Sequence, residues 1–148
     1  MNVMTDVRCE RALPDVDRLE ELCVFALRQE SAPETCELSL SFVDDDEIAE
    51  LNARWRHREG PTDVLSFPMD EPDAPDADGA GVVELGDIVI APDVAYRQSA
   101  DYGDTFVEEL ELLLVHGVLH LLGYDHVDDG EAVVMESRER DILSSWRS

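Results

Sequence analysis

Apolar residues recur along this chain with two periods, and the switching between them sets the expected order of elements. Residues 3–9 read as a weak strand. Pro14 and Asp15 open a helix whose apolar positions, Val16, Leu19, Leu22, Cys23, Ala26 and Leu27, recur every three to four residues. Residues 37–43 alternate Leu38, Leu40 and Phe42 with charged or small side chains, which is a strand pattern. Asp44 and Glu47 read as a cap and its partner three residues on. They start a helix with Ile48, Leu51 and Trp55 on one face. Gly60 and Pro61 break the chain before a short strand over 64–67. Residues 69–81, rich in Pro, Asp, Ala and Gly, read as a loop. A strand over 82–90 follows, then helices over 93–100, 105–122 and 129–144. Strands and helices are mixed in order, with no repeat and no second domain. This predicts a single α+β domain over 1–148, a small mixed β-sheet with helices packed on it. The helix over 105–122 is apolar nearly all round and is expected at its centre. The sheet edge beside 82–90 is expected to border the functional cleft.

That central helix carries the chemistry. The chain has four histidines, and three of them, His116, His120 and His126, fall within eleven residues. His116 and His120 are four apart and share a helix face, because the helix turns once per 3.6 residues. Gly123 can end the helix in a left-handed conformation, so that His126 supplies a third imidazole from the returning chain. Two imidazoles on a buried helix need partners, and a metal satisfies both. Three imidazoles and an open fourth position describe a catalytic zinc site rather than a closed structural one. Other divalent transition metals take such sites too. The spacing also matches the metzincin peptidases, H-E-x-x-H-x-x-G-x-x-H. However, the residue after the first histidine, where those enzymes carry their glutamate base, is Gly117. A clear methionine turn is also missing, although Met135 lies downstream.

The string from His116 to His126, with Gly117, Leu119, Gly123, Tyr124 and Asp125 inside it, resembles the signature of the YbeY family. These are bacterial metal-dependent endoribonucleases of ribosomal RNA maturation. Leu51, Asn52, Trp55 and Arg56, the run from Pro61 to Pro68, and Leu85-Gly86-Asp87-Ile88 agree with that family in the same order. The resemblance covers residues 39–143 and departs at Trp55, where tyrosine is usual, and in overall acidity. It implies that His116, His120 and His126 ligate zinc and that Arg56 is the functional arginine of the pocket.

Composition constrains this reading. A domain of 148 residues buries about 70% of its unfolded surface, enough for a core without staples. Cys9, Cys23 and Cys36 are odd in number and widely spaced, which predicts reduced thiols. With no secretory signal and no apolar run long enough to span a bilayer, the expected location is the cytoplasm, with no membrane partner. The formal net charge is −25, and all eleven basic residues are arginine. Such a charge argues against general nucleic-acid binding, DNA included, because that needs a basic surface. Arg54, Arg56, His57 and Arg58 nevertheless form one basic knot, enough for a small positive cleft on an acidic body.

Three functions follow. The first is a zinc-dependent endoribonuclease that cuts single-stranded RNA in small-subunit ribosomal RNA 3′-end maturation and ribosome quality control. Arg56 would pair with the phosphate, and attack by a metal hydroxide or by the RNA 2′-hydroxyl are both open. The second is a zinc peptidase with its base relocated to Glu108 or Glu109. The third is a zinc-stabilised protein without catalysis that docks on the ribosome or a ribosomal protein, for which an acidic surface is suited. Asp87 and Asp125 are candidates to support a ligating histidine. Thr62, Asp63 and Ser66 are expected to shape the backbone only. Tyr124 is open between packing and stacking on RNA.

Overall fold

The structure, a computed structural model, describes residues 1–69, 81–125 and 128–148. Its elements run β1 (Asn2–Val7), α1 (Val16–Gln29), β2 (Cys36–Phe42), α2 (Asp45–Arg56), β3 (Val64–Pro68), β4 (Val83–Ile90), α3 (Pro92–Tyr102), α4 (Phe106–Leu121) and α5 (Asp129–Arg147). The strands form one mixed sheet in the order β1-β2-β4-β3, parallel except for β3 against β4. This is the expected α+β arrangement. Of the loop expected over 69–81, residues 70–80 lie outside the described residues. No helix among the described residues is long and apolar enough to cross a membrane.

Local chemistry places the helices. Asp15 caps α1 by accepting from the Arg18 backbone N–H at 3.3 Å. Leu19, Leu22, Cys23, Ala26 and Leu27 then face the sheet. Thr105 and Glu108 form a reciprocal capping box at the start of α4. The box expected at α2 does not form. Asp44 instead accepts from the backbone of Glu10, and Glu47 pairs with Arg8. Both acids are drawn to the segment after β1. Trp55 is corrected as well: Ile48 is buried, but Trp55 is 60% exposed because it lies at the outer end of α2.

Strand β4 is interior, and the sheet edge beside it, β3, borders the cleft as expected. The apolar run Ile88, Val89 and Ile90 shows why. Ile88 and Ile90 enter the main core under α4, while Val89 joins a second cluster with Ile48 and Leu65 on the opposite face. Strands covered on both faces read as continuous apolar runs. The ladder between β2 and β4 shifts register at Glu37 and Leu38. Nearby, Gly86 adopts φ +131°, and a Cβ there would meet the Phe67 carbonyl oxygen. All three cysteines are free thiols; burial pushes the Cys23 thiol up to about 12, so it stays protonated.

Helix α4 is the central element, packed on β3 and β4 and flanked by α1, α3 and α5. It approaches the sheet closely at Gly117, where an added Cβ would stand 2.8 Å from Ile88 Cγ2. Ile88 is fully buried and β-branched, so that methyl has little room to give. Gly117→Ala is therefore expected to lower stability by about 1–3 kcal/mol through overpacking, less the ~1 kcal/mol that alanine gains in a helix. Gly86→Ala, facing a backbone oxygen at positive φ, should cost more. Urea denaturation of both variants checks this order.

Candidate active site

The close approach of α4 sets where its polar face opens. His116 and His120 face a cleft of about 850 Å³ between the C-terminal half of α4, strand β3 and the end of α2. Their Nε2 atoms stand 3.1 Å apart. His116 Nδ1 donates to Glu139 Oε1 at 2.5 Å. An ionised carboxylate only accepts, so the nitrogen facing it carries the proton and Nε2 presents a lone pair to the cleft. Glu139 comes from α5 and is buried at 8% exposure. Two imidazole nitrogens on a tetrahedral metal, each at about 2.05 Å, would stand about 3.3 Å apart. The observed pair fits that chord. His126, the expected third ligand, lies outside the described residues, and among the described residues no three His, Cys, Asp or Glu side chains converge as a ligand set. Gly123 takes φ +103° and ends the helix as expected. Tyr124 and Asp125 then line the cleft.

The opposite wall carries the arginines. Arg56, in the last turn of α2, donates from Nη2 to the Ser66 carbonyl at 2.6 Å and lies 5.8 Å over the Phe67 ring. A guanidinium has five N–H donors, so this bond orients Arg56 without using it up. Ser66 is buried and donates its hydroxyl to the Gly117 carbonyl at 3.4 Å, which ties β3 to α4. His57 ends α2 in the left-handed conformation, with φ +57°. The buried Asn52 donates to the Gly60 carbonyl at 3.0 Å and pins the following loop. Arg58 consequently lines the cleft beside Arg56; Arg54 is not among the lining residues.

The profile of the family described as Endoribonuclease YbeY matches residues 10–147. The chain belongs to the YbeY family. An Endoribonuclease YbeY from Salinispora tropica is 46% identical over 140 residues, 90% of this chain and 89% of that one. One from Thermobifida fusca is 43% identical over 145 residues, 96% of this chain and 93% of that one. The solution structure of a Thermotoga maritima protein aligns with a TM-score of 0.62 at 27% identity, over 97% of this chain and 92% of that one.

Within this YbeY fold the peptidase reading fails on geometry. Position 117 faces Ile88 rather than the cleft, so a glutamate base there has no space. Met135 is buried inside α5, not in a turn. Glu108 is used in the capping box, and Glu109 turns away toward Gln98. Asp87 is also corrected. It follows the bulge, sits exposed beside Ser39, and points away from α4, since its neighbour Ile88 points toward it. The carboxylate that supports His116 is Glu139, which sequence reasoning missed. Its signal was present: Met135, Glu139, Ile142 and Leu143 form one buried helical stripe with a single charge in it. Thr62 and Asp63 do shape a turn: Asp63 accepts from Val64 N at 2.8 Å and from Gln98 at 3.1 Å.

Gln98 also reaches the buried Glu109, whose Oε2 has no hydrogen-bond partner among the described residues. Burial first, then the charges of Asp104 and Asp63, push the Glu109 carboxyl above its ordinary range. A carboxyl whose folded pKa is raised stabilises the fold while protonated and loses that contribution as pH rises through the folded value. Glu109→Gln is therefore expected to raise the melting temperature at mildly alkaline pH and to change it least in mild acid. Thermal unfolding across that range checks it; a larger gain in acid would contradict the assignment.

Proposed function

We propose that this chain is a zinc-dependent endoribonuclease that cuts single-stranded RNA in maturation of the small-subunit ribosomal RNA 3′ end. The endoribonuclease activity comes with the family. The observation that supports a metal is the facing pair of His116 and His120 nitrogens, oriented by a buried carboxylate and opposite an arginine. His116, His120 and His126 would hold the ion. When bound, zinc supplies Lewis acidity toward a phosphoryl oxygen.

The protein's own residues do the rest. Glu139 holds His116 in the tautomer whose Nε2 lone pair points into the cleft. Arg56, steadied by the Ser66 carbonyl, offers its remaining N–H groups to two phosphate oxygens and meets the charge that grows in the transition state. Asn52 keeps the loop bearing Arg58 beside it. The acidic body repels RNA at a distance and suits a basic partner, so a ribosomal protein would bring the enzyme to its substrate. On this reading the protein works with the ribosome-assembly machinery in the cytoplasm.

An end-labelled RNA with a single-stranded 3′ tail should be cut by the wild type and not by His120→Ala prepared identically. Equal cleavage by both would sink the proposal. Arg56→Ala should lower kcat by about a hundred- to a thousandfold, with little rescue by Arg56→Lys, which lacks the planar fork. Glu139→Ala should weaken zinc binding by about 10–100-fold in chelator competition. An unchanged affinity would remove Glu139 from the site.

A further inference from the structure

The cleft has two chemically different ends, with the histidines between them. Helix α4 runs alongside β3 and fixes the order. Its Glu109 reaches Asp63 through Gln98 at the start of β3, Gly117 meets Ser66, and Leu121 lies over Gly86. From Glu109 to Leu121 the helix rises about 18 Å. Arg58, Thr62 and Asp63 lie at the polar end. Past the histidines the lining becomes mostly apolar, with Val83, Leu85, Leu122, Tyr124 and Pro33 beside the carboxylate of Asp125. This second end is built, because Val83 N–H donates to the Thr35 carbonyl and joins β4 to the segment carrying Pro33. Tyr124 is held as well. Its hydroxyl donates to Glu30 at 2.8 Å, and Glu30 is in turn gripped by Arg138 of α5 at 2.7 Å.

A ligand that fills such a cleft carries an anion at the histidine and arginine centre and a flat apolar group within reach of it. A nucleotide has that shape. We propose that the apolar end of the cleft is a nucleobase subsite with Tyr124 as its platform, which takes an unpaired base beside the phosphate being cut. The subsite rests on the RNA reading above. It gives a physical reason for single-strand selectivity, since a base stacked in a duplex cannot lie on Tyr124. The Glu30 bond fixes the ring in advance, which lowers the ordering cost of binding.

The test is a double-mutant cycle on affinity. Zinc-loaded wild type and Tyr124→Leu are titrated by fluorescence anisotropy with a short 2′-O-methyl oligouridylate and with its fully abasic counterpart, the strands being recovered intact. The wild type is expected to prefer the base-bearing strand, and Tyr124→Leu to lose roughly 5- to 150-fold of affinity for it and little for the abasic strand. Tyr124→Phe, which keeps the ring, should retain most of the coupling. Val83→Thr, which places a hydroxyl in the floor at nearly constant volume, should weaken it and serves if Tyr124→Leu does not fold. Equal losses on both strands, or a wild type indifferent to the bases, overturn the subsite. Coupling in a protein that leaves the unmodified RNA uncut would keep the subsite and overturn the nuclease.

Discussion

The contact between Gly117 and Ile88 is the constraint on which the site depends. A helix bearing any larger residue at 117 would stand further from the sheet. The Ser66 hydroxyl would then lose the Gly117 carbonyl, and β3 would no longer be tied to α4. Because 117 faces inward, 116 and 120 face the cleft, and the same packing that removes a peptidase glutamate aims two imidazoles at one point. Helix α5 completes the arrangement from behind by placing a buried carboxylate on His116. The clamp of Trp146 and Arg147 on Glu111 holds α5 against α4, so packing and histidine orientation are set together.

Charge divides the molecule into a body and a site. A net charge of −25 creates a field that opposes RNA binding, yet Arg56 and Arg58 face the histidines across the cleft. Salt screens interactions beyond about 10 Å at moderate ionic strength, so at contact distance the local arginines outweigh the distant acids. Under the proposed function, capture by a basic protein followed by local engagement of a phosphate would reconcile an acidic enzyme with an anionic substrate.

Much of this was legible in the sequence because it rests on local periodicity. The three-to-four-residue spacing in α1 and the alternation in β2 gave their buried faces directly. The spacing of His116 and His120 gave the pair, and Gly123 gave the end of α4. What was misread depends on distant partners. Asp44 and Glu47 looked like a cap and went to Glu10 and Arg8, because β1 ends beside them. Asp87 looked close to the site, but the bulge and Gly86 set which face it occupies. The order of strands is a tertiary choice, and only the unbroken apolar run of Ile88 to Ile90 hinted that β4 is interior. Glu139 could have been found by asking why a charge stands in the buried stripe of α5. The sequence leaves Tyr124 open between packing and stacking, and the structure places it against the core and in the cleft wall at once.

The central claim is that three imidazoles, two of them on α4, hold one metal. X-ray absorption spectroscopy of the zinc-loaded protein tests it most directly. The account predicts three imidazole nitrogens at roughly 2.0–2.1 Å with one further light ligand. A shell with fewer than three imidazoles, or one containing cysteine sulfur, would contradict it.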